Sequence, residues 1–119
     1  MSSITESEQP GLVVVWVTQD REAALNMALM YAKNSRIKGW WDTVHLVVWG
    51  PSAKLLTTDA DLQAEIEECK AAGLKLLACK ACADRYGVSD SLTAMGIEVI
   101  FMGAPLTQYL KQGWKVLTI

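Results

Sequence analysis

The chain has 119 residues, of which 51% are hydrophobic and 20% charged, and its formal net charge is −2. That length suits one domain around one core, and an apolar sequence without a low-complexity tract is not a disordered chain. There is no basic face and no run of like charge longer than Glu67-Glu68, so binding to the phosphate backbone of nucleic acid is not expected.

Met1 to Gly11 carry Ser, Thr, Glu, Gln and Pro with neither a basic start nor an apolar stretch. They read as a frayed tail, not a signal or transit peptide, which leaves residues 12–119 as the domain. Leu12 to Thr18 is a β-branched apolar run of strand length, ending where Asp20 can cap a helix. That helix runs to about Ile37 and places Ala23, Met27, Met30 and Tyr31 at the spacing of one face, predicted to cover a sheet. Leu25 and Leu29 fall on the opposite side, so the helix is apolar almost all round and is expected to meet another subunit. Gly39 ends it, and Thr43 to Trp49 forms a second strand that reaches a Gly50-Pro51 turn.

Thr58-Asp59-Ala60-Asp61 resembles a capping box opening a helix whose core face is Leu62, Ile66 and Cys69, with Gly73 at its end. Leu74 to Cys79 is a third strand. Lys80 to about Gly87 reads as a short helix, and Ser89 can cap another that carries Leu92 and Met95 and stops at Gly96. Ile97 to Met102, Ala104 to about Gln112, and Trp114 to Ile119 complete the pattern as strand, helix and strand. No apolar run approaches the ~20 residues needed to span a bilayer, so no membrane partner is expected.

Near-continuous apolar strands separated by helices indicate an α/β fold, with a five-stranded, mostly parallel sheet in a three-layer α/β/α sandwich. In such sheets functional groups gather beyond the carboxyl ends of the strands. Those ends are Thr18 to Asp20, Trp49 to Pro51, Cys79 to Cys82 and Met102 to Ala104.

Three cysteines, an odd count without an export signal, point to free thiols in a reducing compartment, the cytosol. Cys79 ends a strand and Cys82 follows in the first turn of a helix, where backbone amides and the helix dipole favour a thiolate. Lys80 adds positive charge, and Arg85 shares a helical face with Cys82. Trp49, Gly50 and Gly103 sit on the same edge as candidate pocket residues. Small thiols also simply fill space, and that is the expected role of Cys69 on its core stripe. His45, inside a strand, is expected to be a hydrogen-bonded structural imidazole and at most a weak base. No set of residues has metal-ligand spacing, no Gly-rich phosphate cradle occurs, and no cofactor is expected.

The segment Leu76-Leu77-Ala78-Cys79-Lys80-Ala81-Cys82-Ala83-Asp84-Arg85-Tyr86-Gly87-Val88, followed by a short helix and Gly96-Ile97-Glu98-Val99, resembles the DsrE/DsrF-like (DsrEFH) family. In that resemblance Cys79 corresponds to the sulfur-carrying cysteine, and Cys82 to a second cysteine found in some branches. It implies a doubly wound sheet of flavodoxin-like appearance, assembly into trimers or hexamers, and a persulfide passed between donor and acceptor proteins, a sulfurtransferase-like activity at most. Two other functions stay open: a dithiol redox module built on Cys79 and Cys82, and a non-enzymatic oligomeric module that binds a small ligand or a protein.

Overall fold

The computed structural model describes residues 10–119, so most of the expected tail lies outside the described residues. Gly11 does not belong to a frayed end. It is buried, and a Cβ there would meet the Thr43 carbonyl oxygen at 2.3 Å. The Leu12 amide donates to that same carbonyl, and the Gly11 carbonyl accepts from the Lys115 amide, each at 3.0 Å. The first strand starts at Leu12 as expected, and Gly11 is held against its neighbours just before it.

Five strands follow in order: β1 (Leu12–Trp16), β2 (Val44–Val48), β3 (Lys75–Cys79), β4 (Glu98–Ile100) and β5 (Lys115–Thr118). They form one sheet in the spatial order β4-β3-β2-β1-β5, with every neighbouring pair parallel. Seven helices connect them: α1 (Arg21–Ala23), α2 (Leu29–Ile37), α3 (Pro51–Leu56), α4 (Ala60–Ala71), α5 (Lys80–Tyr86), α6 (Ser89–Ala94) and α7 (Gly103–Lys111). None is long and apolar enough to cross a membrane.

Alternation along the strands divides the core in two. Val14, Trp16, Leu46, Val48, Leu76 and Ala78 face the layer of α2 to α6 and meet Leu29, Leu56, Leu62, Ile66 and Leu92. Val13, Val15, Val47, Leu77 and Cys79 face the opposite way, where Tyr109 of α7 supplies the helical contact. The sandwich thus has three layers, one of them a single helix.

Asp20 caps the first helix by accepting from the Glu22 and Ala23 amides. Between α1 and α2, Ala24–Ala28 takes a π-helical turn in which the Leu29 amide bonds the Ala24 carbonyl, five residues back. This turn overturns the expected face. Ala24, Ala28, Leu29, Ala32 and Ser35 are buried, while Met27 and Met30 stand exposed. Three alanines let the helix approach the sheet closely, and the extra residue in the turn rotates the methionines outward. On α4 the expected stripe of Leu62, Ile66 and Cys69 is fully buried. Its cap is Asp59, which accepts from the Leu62 amide, and not Thr58; Asp61 bonds Arg21 instead. Ser89 is likewise not a cap. Val88 takes that position, and the Ser89 hydroxyl donates to Asp84.

Candidate active site at the carboxyl edge of the sheet

The chain leaves β3 into α5, in the many-helix layer, but leaves β4 into α7 on the other face. Adjacent strands whose exits part in this way open a crevice at their carboxyl ends. A cleft of about 420 Å³ lies there, lined by Lys80, Ile100, Phe101, Ala104, Pro105 and Gln108 among others.

Cys79 is the last residue of β3 and pairs in register with Ile100. It is the N-cap of α5. Its side chain points to the α7 face among Leu77 and Met102, and the residue is only 5% exposed. Burial pushes the thiol pKa up, and hydrogen bonding with the Cys82 side chain favours the protonated form further. The Cys82 and Ala81 amides at the helix start act the other way without winning. Desolvation thus outweighs the helix start and holds the thiol above its ordinary range, where a helix N-terminus alone would lower it. Lys80 does not tilt that balance. Its ammonium lies 3.0 Å from Asp84 and 5.7 Å from the centre of the Phe101 ring, on the rim of the cleft. Arg85 stands exposed one turn further along α5.

Cys82 is half-buried and packs against the same cluster that holds Cys79. The fold thus brings both thiols to one side of the sheet. Trp49 also borders that cluster, but across α7 from the cleft, where it lines an apolar groove of about 510 Å³ with Val15, Val17, Leu106, Leu110 and Val116. Gly50 has φ +74° and ψ −139°, a backbone region essentially closed to other residues. Gly103 opens α7 at an exposed position with free space around it.

One residue of this edge is not signalled by spacing. Ser52 is fully buried; its hydroxyl donates to the Trp16 carbonyl at 2.6 Å and accepts from the Trp49 amide at 3.1 Å. It clamps the ends of β1 and β2 together. The sole available hint is a small hydroxyl residue directly after the Gly50-Pro51 turn, in the first turn of a helix.

His45 lies in the middle of the sheet's thin side, with Nδ1 2.6 Å from the Tyr109 hydroxyl and its ring 4.6 Å from that of Trp114. It is three residues from the end of β2, about 10 Å away by strand rise, and takes no part in the thiol site. Cys69 is sealed among core residues, and burial pushes its thiol up to about 12. Among the described residues no three His, Cys, Asp or Glu side chains converge as metal ligands.

A sequence model of the DsrE/DsrF-like family matches residues 12–119. Among solved structures, a conserved protein of unknown function from Bacteroides thetaiotaomicron is 42% identical, with a TM-score of 0.88 over 91% of this chain and 93% of that one. The YchN protein of E. coli, 20% identical, shares the fold with a TM-score of 0.73 over 93% of this chain and 100% of its own. A protein of unknown function from Methanobacterium thermoautotrophicum does so at 16% identity, with a TM-score of 0.72 over 91% and 98%. No curated protein matches the sequence.

Proposed function

The chain belongs to the DsrE/DsrF-like family, and from that premise we propose that it is a sulfur carrier in which Cys79 holds a persulfide for transfer between protein partners. The observation that carries this reading is the setting of the Cys79 sulfur. It lies at the strand end beside the β3/β4 crevice, with the Ala81 and Cys82 amides directed at it. A bare thiol in that pocket keeps its proton. A terminal persulfide sulfur is more acidic, so its anion would draw on those amides, while the apolar walls of Leu77 and Met102 would shield it from stray reductants. Donor and acceptor proteins dock over the cleft rimmed by Lys80 and Phe101, and the chain assembles with copies of itself.

The test is mass spectrometry soon after mixing with thiosulfate, or with a cysteine desulfurase and cysteine. Cys79 should gain one sulfur, and faster as the pH rises above neutral, because the neutral thiol must ionise first. A Cys79→Ser chain that acquires the same sulfur would overturn the assignment.

A further inference from the structure

We propose, building on the sulfur-carrier reading, that Cys82 discharges the Cys79 persulfide and releases its outer sulfur as sulfide. The two thiols differ in depth. Cys79 is 5% exposed, whereas Cys82 is half-buried on the first turn of α5. Both pack against the cluster under α7, and their side chains are in hydrogen-bonding contact. A residue ending a strand and one three positions later in the following helix can bring their Cα atoms within the ~4.4–6.8 Å that a disulfide needs. The third cysteine cannot take this part, because Cys69 is sealed in the opposite layer with Leu62 and Ile66.

The step balances without an outside oxidant. In Cys79–Sγ–SH the inner sulfur stays where the thiol was, within reach of Cys82. The Cys82 thiolate attacks that inner sulfur, a Cys82–Cys79 disulfide forms, and the bond to the outer sulfur breaks. The persulfide anion takes the proton that Cys82 gives, and the outer sulfur leaves with the bonding electron pair as HS⁻. Return to the dithiol needs an external thiol reductant, which attacks the more exposed Cys82 sulfur. A partner that receives the outer sulfur competes with Cys82 for it. Without a partner the site empties itself and closes as a disulfide.

The experiment uses the whole chain, reduced, loaded with inorganic polysulfide in the absence of oxygen, desalted and followed in time. Mass spectrometry locates the sulfur, and a colorimetric assay counts free sulfide. The wild-type chain should end as the Cys79–Cys82 disulfide, two hydrogens lighter than the dithiol, with one equivalent of sulfide per disulfide. Cys82→Ser and Cys82→Ala should keep the extra sulfur on Cys79 and release sulfide at least about tenfold more slowly. If wild type and both variants hold the persulfide equally long, the discharge role is wrong and the sulfur-carrier reading stands. If Cys79 takes up no sulfur in any of the three chains, both fail.

Discussion

His45 sends its imidazole into the layer beneath α7, between Tyr109 and Trp114. Burial first, and then the charge of Lys75, its register partner on β3, lower its pKa from 6.5 to about 4. An unfolded chain therefore takes up a proton on this residue between those two pH values while the native chain does not. More protons bound in the unfolded state means stability that rises with pH, so it is lost as the pH falls through this window. The loss amounts to about 3 kcal/mol at most. Asp59 acts in a separate window. Hydrogen bonding to Arg21 holds its carboxyl below the usual 3.8, so its contribution goes only at lower pH. Urea midpoints recorded at pH 7, 6, 5 and 4.5 should fall progressively in the wild type. In His45→Gln they should start lower and stay flatter through that range, and a wild-type midpoint unchanged from pH 7 to 4.5 would refute the neutral buried imidazole.

At the level of elements, the junction of β2 with α3 depends on two residues that perform different tasks. Gly50 supplies a conformation that a side chain would strain by about 1–3 kcal/mol, and Ser52 ties the Trp16 carbonyl to the Trp49 amide. Losing that buried hydroxyl should cost about 1–2 kcal/mol. Thermal melts of Gly50→Ala and Ser52→Ala should each fall by roughly 4 °C or more, and because both changes loosen Trp49, its fluorescence should shift to longer wavelength before the global transition. Wild-type melts from both variants would show the junction to be mere connection. This junction also shows what was legible beforehand. The strand order along the chain could be read because apolar runs stop near Gly, Asp or Cys, although β1 and β4 end two residues short of Thr18 and Met102, and the stripe of Leu62, Ile66 and Cys69 could be read because its spacing is local. The face of the first helix could not, since a π turn and close packing through Ala24, Ala28 and Ala32 override side-chain size. The edge that carries Cys79 followed from topology alone, but the state of its sulfur did not. That state is set by Leu77 on its own strand and Met102 before α7, and no window of sequence around Cys79 contains the second of these.

On the scale of the whole molecule, apolar side chains remain uncovered on both outer layers. Met27, Met30, Ile37 and Trp40 are 44–60% exposed along the first helix and its exit, and on the other face Leu110, 58% exposed, lines the apolar groove beside Trp49. Exposed large apolar side chains grouped on one element mark a contact site more often than bare monomer surface. A twofold dimer uses one patch on both copies and leaves the other wet, whereas a ring joins two different patches and covers both. Two separate patches suit a closed ring, such as the trimer or hexamer that the family resemblance implies, better than a simple dimer. Sedimentation at micromolar concentration should give a mass of three or six chains for the wild type. Trp40→Glu and Leu110→Glu, placed on different patches, should each break the ring to smaller species with unchanged far-ultraviolet circular dichroism. If only one of the two substitutions dissociates the assembly, the contact is isologous and the ring is wrong. A wild type that sediments as a single chain would leave both patches for other proteins, with the cleft at Lys80 and Phe101 as the place to seek them.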